Sequence, residues 1–160
     1  MIFEAIEEFA AALAPGRPLL GLDLGEKTIG VAASDALLSS ASPVEVIKRR
    51  KFGLDAARLL EIAGAREAAG IILGLPRNMD GSEGPRCQST RAFARNLERL
   101  TALPIGFWDE RLSTVAAERA LIEADLTRKR RKEVIDAVAA TYILQGTLDR
   151  LQHMRAAPHE

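Results

Sequence analysis

The stretch Leu19-Leu20-Gly21-Leu22-Asp23-Leu24-Gly25 limits the fold more than any other part of this chain. It reads as a strand, and Thr28 to Ser34 reads as a second, with Gly25-Glu26-Lys27 short enough to make a hairpin between them. Ala41 to Ile47 supplies a third strand. A helix from Leu54 to Ala69 follows, then Ile71 to Leu73, a short and wholly apolar strand of the kind found in buried parallel sheets. Gly74 to Pro85 is dense in turn formers and predicts a long loop. Gln88 to Leu100 is a helix, Pro104 to Asp109 a strand, Thr114 to Ala124 a helix capped by Ser113 or Thr114, and Arg131 to about Arg150 a final helix. Ahead of all this, Ile2, Phe3, Ile6, Phe9, Ala10 and Leu13 fall at steps of three and four, which predicts one apolar helix face stopped by Pro15-Gly16-Arg17-Pro18.

The order of elements predicts an α/β fold: one mixed five-stranded sheet, its first three strands antiparallel, with helices on both faces. A chain of 160 residues is about one domain. We divide it into an N-terminal helix and linker at 1–18, a main domain at 19–150 and a tail at 151–160. Alanine fills 27 positions while Phe, Trp and Tyr together fill seven, so the core is built of small residues suited to close packing of helix on sheet. Trp108 and Tyr142 belong to that core.

Composition also excludes several chemistries. Cys87 is the single cysteine, so neither an internal disulfide nor a cysteine zinc site is available, and a cytoplasmic setting is expected. His153 and His159 both fall in the last eight residues, away from any histidine-based site in the body. The first 14 residues carry Glu4, Glu7 and Glu8 and no Lys or Arg, the reverse of a secretory or mitochondrial leader. No apolar run approaches the roughly 20 residues that a membrane span needs.

Three acidic residues stand in apolar settings. Asp23 interrupts the first strand, where an unpaired buried carboxylate is costly. Glu110 follows the strand ending at Asp109, at the carboxyl end where ligands of sheet-based folds collect. Asp136 lies in Val134-Ile135-Asp136-Ala137-Val138-Ala139-Ala140, beyond the positions where a helix uses Asp as a cap. Singly, each has a plain structural reading: a strand-end acceptor, a solvated pair with Asp109, and a boundary residue paired with an arginine. Together they form an oxygen-only ligand set, which suits Mg²⁺ or Mn²⁺ rather than zinc. Such ions stabilise charge on phosphate oxygens and acidify water for in-line attack on a phosphodiester.

Four segments in this order carry a family resemblance: Gly21-Leu22-Asp23-Leu24-Gly25-Glu26-Lys27-Thr28-Ile29-Gly30-Val31-Ala32, Gly74-Leu75-Pro76-Arg77-Asn78-Met79-Asp80-Gly81-Ser82-Glu83-Gly84, Asp109-Glu110-Arg111-Leu112-Ser113-Thr114, and Ile135-Asp136-Ala137-Val138-Ala139-Ala140. The chain from Leu19 to Arg150 resembles the YqgF (RuvX) family of Holliday junction resolvase-like proteins and pre-16S rRNA nucleases, which have an RNase H-like fold. The resemblance implies that Asp23, Glu110 and Asp136 are the catalytic, metal-binding acids. It implies too that Lys27, the Pro76 to Gly84 loop with Arg77 and Asn78, and Arg111 face nucleic acid.

The formal net charge of zero argues against a uniformly basic coat, but nine of the 22 basic residues sit in two runs, Lys48-Arg49-Arg50-Lys51 and Arg128-Lys129-Arg130-Arg131-Lys132. Arg128, Lys129, Arg130 and Arg131, just ahead of Asp136, are placed to meet a phosphate backbone. Arg91, Arg95 and Arg99 repeat along one helix face. The expectation is a Mg²⁺- or Mn²⁺-dependent nuclease acting on structured RNA, with the 5′ end of pre-16S rRNA as the role the resemblance implies, working as a monomer or homodimer without a membrane. The alternatives are a resolvase of branched DNA and a non-catalytic factor that binds RNA, the ribosome or the transcription machinery.

Overall fold

The computed structural model describes residues 1–112 and 128–156, and the side chains of 1–112 and 137–156. In chain order the elements are β1 (Ile2–Phe3), α1 (Ile6–Ala11), β2 (Leu19–Leu24), β3 (Thr28–Ser34), β4 (Ala41–Lys48), α2 (Phe52–Arg66), β5 (Gly70–Leu75), α3 (Pro85–Glu98), β6 (Ile105–Asp109), a 3₁₀ turn at Glu110–Leu112, and α4 (Arg128–Ala156). The helix expected over Thr114 to Ala124, with its Ser113 or Thr114 cap, lies outside the described residues.

The strands form one sheet in the order β1-β6-β5-β2-β3-β4. β2, β3 and β4 pair antiparallel, and β2 with β5, β5 with β6 and β6 with β1 pair parallel. The Gly25-Glu26-Lys27 hairpin is closed by the Gly25 N–H donating to the Thr28 carbonyl at 2.9 Å. Two cores follow from the alternation of side chains across the strands. Leu20, Leu22, Leu24, Ile71 and Leu73 face α2 and α3, meeting Leu59, Ile62, Phe93 and Leu97. Leu19, Ile72 and Trp108 face the other way, with Phe9 of α1 and Ala140, Ile143, Leu144 and Leu148 of α4.

The sheet has six strands where five were expected. Ile2 and Phe3, expected as the first turn of a helix, instead pair in parallel with Ile105 and Gly106. The Ile2 N–H donates to Glu98 Oε2 at 2.9 Å, and the Ile105 N–H to the Met1 carbonyl at 2.9 Å. A β-branched and an aromatic residue suit an edge strand, and the step of four from Ile2 to Ile6 is compatible with either period. Helix ends also differ. α3 begins at Pro85, whose fixed φ and missing N–H fit the first helical turn, and α2 stops where Glu67 turns left-handed at φ 54°.

Helix α4 crosses the sheet at close range because glycines stand on both sides of the contact. A Cβ on Gly21 would stand 2.7 Å from Leu144 Cβ and 3.1 Å from the Ala140 carbonyl oxygen, while one on Gly146 would press into the Trp108 indole at 2.9 Å. Ala139 and Ala140 are buried in the same contact. The space that Gly21 leaves on β2 is thus filled by α4. Among the described residues no helix is long and apolar enough to cross a membrane.

Gly21→Ala is expected to cost about 1–3 kcal/mol, because the groups it meets are backbone and Cβ atoms that cannot rotate away. Gly64→Ala in α2, where a Cβ meets nothing within 4 Å, is expected to add about 0.5–1 kcal/mol. Urea unfolding of the two variants reads both signs.

Candidate active site

Asp23 is the fifth residue of β2, paired in register with Gly30 of β3, and is 2% exposed. Two residues beyond Gly21, it shares that residue's face of the strand and so faces α4. Glu110 begins the 3₁₀ turn where β6 ends and is 9% exposed. Its Oε2 lies 3.2 Å from where a Cβ on Gly74 would stand. β5 runs between β2 and β6, and the Leu22–Leu73 and Gly74–Trp108 pairs set Asp23, Gly74 and the end of β6 in neighbouring strands at one level. The two carboxylates therefore share one end and one face of the sheet, with the bare backbone of Gly74 between them.

Position 136 falls in the α4 backbone, one turn ahead of Ala140, whose carbonyl lies over Gly21. The Asp136 side chain lies outside the described residues. The same holds for Arg128, Lys129, Arg130 and Arg131, which occupy the opening turn of α4.

The expected nucleic-acid residues rim the same end. Lys27 is exposed on the β2–β3 turn. Asn78 is exposed on the 76–84 loop, its N–H donating to the Ser82 carbonyl at 2.9 Å and its Nδ2 to Ser82 Oγ at 3.0 Å. The Gly81 N–H donates to the Asn78 carbonyl at 2.9 Å, and Gly81 takes a φ of 89° that favours glycine. The loop is thus a braced turn. Arg77 pairs with Glu83 at 3.3 Å, and Arg111 with Asp109 at 2.7 Å. The Arg111 guanidinium, first through its hydrogen bond, holds the Asp109 carboxyl below its ordinary range. Asp109 is thereby tied to Arg111, while Glu110 turns inward.

Two cations that sequence reasoning did not assign to this end support it. Arg49 donates to the Gly25 carbonyl at 2.7 Å, and Arg86 donates to the Leu24 carbonyl at 3.2 Å. Both close over the residues that follow Asp23. Arg49 stood out as part of a basic run, but Arg86 had no local signal, since only the fold brings α3 to the end of β2. Arg91, of the arginine repeat in α3, is tied down by its contacts. It donates to Glu83 at 2.6 Å and to Glu4 at 2.8 Å, and its guanidinium lies 4.9 Å from the centre of the Phe107 ring. Cys87 is buried, and burial pushes its thiol pKa up, which keeps it unreactive.

A family model described as "RuvX: Holliday junction resolvase" matches residues 17–150. A protein of Ruegeria sp. (strain TM1040) named "Putative pre-16S rRNA nuclease" is 70% identical over 157 residues, covering 98% of this chain and 100% of that one. A protein of the same name from Ruegeria pomeroyi is 72% identical, covering 96% and 100%. Among solved structures, Thermus thermophilus RuvC in complex with a Holliday junction substrate superposes with a TM-score of 0.52 at 12% identity, over 84% of this chain and 96% of that one. A second structure of that RuvC gives 0.50 at 15% identity, over 85% and 97%. The RuvC likeness concerns the fold, which is RNase H-like.

Glu83 is held below its ordinary pKa of 4.5 chiefly by its hydrogen bond from Arg91. A depressed carboxylate contributes stability that is complete above its unfolded pKa and is lost as pH falls through its folded value. Glu83→Gln is therefore expected to melt below the wild type at pH 7, with the gap closing as the pH drops beneath 4.5. A series of thermal melts from pH 7 to pH 3 checks this; a gap that widens toward acid would contradict it.

Proposed function

Since the chain belongs to the RuvX family, we propose that it is a metal-dependent nuclease that cuts phosphodiester bonds in structured RNA, with the precursor of 16S rRNA as substrate. The observation that carries this reading is the burial of Asp23 and Glu110 on one face at the carboxyl ends of β2 and β6, with position 136 of α4 arriving over that face. Near-identity in length with relatives named for pre-16S rRNA supports the substrate.

The residues present fit a hard divalent cation. Their donors are carboxylate oxygens, and the missing side chain of Gly74 leaves the space into which Glu110 Oε2 extends. Asp23, Glu110 and Asp136 would hold Mg²⁺ or Mn²⁺. Such an ion, when bound, neutralises charge on phosphate oxygens and lowers the pKa of water. The chain's own part is orientation. α4 and the sheet exclude water from one side of the carboxylates, while Lys27, Arg77, Asn78 and Arg111, with Arg128, Lys129, Arg130 and Arg131, draw the phosphate backbone across them. Arg49 and Arg86 hold the Leu24–Gly25 carbonyls, which fixes the strand end that carries Asp23.

With Mg²⁺ or Mn²⁺ the purified protein is expected to shorten precursor 16S rRNA at its 5′ side. Asp23→Asn and Asp136→Asn are each expected to lower the rate by roughly 10²–10³ or more while leaving RNA binding in place. Four-way DNA junctions form the comparison arm, and cutting of junctions with RNA left intact would assign the site to DNA. Binding without cleavage under any divalent ion would reduce the protein to a non-catalytic factor.

A further inference from the structure

A second concavity lies around the end of β6 from Glu110. Because β1 stops after pairing with Gly106, the last part of β6 continues past it and a cleft of about 220 Å³ opens there. Leu75, Phe107 and Trp108 give it apolar walls, and Arg77, Arg150 and Glu4 are among the charged groups around them. Asp109, which also lines it, is the residue before Glu110, so the cleft and the acidic site are neighbours.

The lining has the chemistry of a nucleotide's counterpart: apolar surface for a base, guanidinium groups for a phosphate, and a carboxylate able to accept from exocyclic amines. The arginines are not equally committed. Arg91 is held by short bonds to both Glu83 and Glu4 and serves as wall. Among the described residues, Arg77 and Arg150 hold only long ion pairs, to Glu83 at 3.3 Å and to Glu7 at 3.5 Å. In addition, Arg77 Nε is buried with no acceptor among the described residues, whereas the Trp108 indole N–H packs toward Gly146 of α4. A guanidinium donor left without an acceptor beside a cavity points to an acceptor-rich ligand.

We propose that this cleft is a nucleotide subsite: it takes one unpaired nucleotide of the substrate strand next to the bond being cut, its phosphate on Arg77 and Arg150 and its base against Leu75, Phe107 and Trp108. The inference rests on the nuclease reading and refines it, since it selects substrates with an unpaired nucleotide beside the cleavage point over continuous duplex.

Trp108 is the chain's single tryptophan and lines this cleft, so its fluorescence reports on the end of β6 where the cleft opens. Titration of the full-length protein with a short unstructured oligoribonucleotide, and separately with AMP, is expected to change the Trp108 emission saturably, and adenosine is expected to act only weakly. A response to the oligonucleotide with none to AMP assigns the site to a strand, and a response to AMP alone assigns it to a free nucleotide and overturns the strand subsite. Arg150→Ala, on an exposed part of α4, is expected to weaken the oligonucleotide titration by about tenfold, the worth of one charge-assisted phosphate contact. Leu112→Glu, which brings a carboxylate to the rim, tests the same site without touching Arg150. Emission unmoved by either ligand, or titrations unchanged in both variants, would sink the subsite. If the same preparation still cuts precursor rRNA, the nuclease reading stands and only this inference falls.

Discussion

The structure depends on how closely α4 can lie on the sheet. Gly21 puts hydrogen where any other residue would put a methyl group, and the Ala140 carbonyl and Leu144 occupy the space that is left. Dispersion falls off steeply with distance, so a helix held at this range gains contact along its length, and a helix raised by one methyl group loses it along its length. The same closeness brings the beginning of α4 to the strand ends where Asp23 and Glu110 are buried. Packing of the core and the meeting of the α4 backbone with the buried Asp23 and Glu110 are therefore one event, and the alanine-rich composition is what makes both possible.

Much of this could be read from the sequence. Asp23 and Glu110 were legible because a carboxylate in an apolar strand, or turning inward at its end, departs from what burial permits. The β2–β3 hairpin was legible because three residues leave the chain no other path. β1 was not, because two residues carry no period of their own and the pairing that makes them a strand comes from Ile105 and Gly106. Arg86 and the Glu4–Arg91–Glu83 contacts were not legible either, since each joins segments that only the finished fold brings together. Asp136 was singled out by its apolar neighbours, and the fold adds the place of its backbone one turn from Ala140.

The balanced charge has a structural explanation. Many of the acidic residues serve as partners that position arginines: Glu83 for Arg77 and Arg91, Glu4 for Arg91, Asp109 for Arg111. Exposed pairs of this kind contribute little to stability one at a time. Linked in series they do something else, which is to give the 76–84 loop and the end of β6 fixed directions for their guanidinium groups. A surface of the same cations without these carboxylates would bind phosphate more tightly at low salt and with less definite geometry.

β1 has a consequence for the order in which the molecule is made. Its two residues close the free edge of β6, yet they are synthesised long before β6 exists, and the ladder between them joins segments about a hundred residues apart. Contacts so distant along the chain form late. Until α3 and β6 have left the ribosome, the N-terminal segment has no edge to join and no Arg91 to hold Glu4. The sheet is consequently sealed by residues that have waited for their partner, and the cleft beside β6 takes shape only when the growing chain has turned back to meet them.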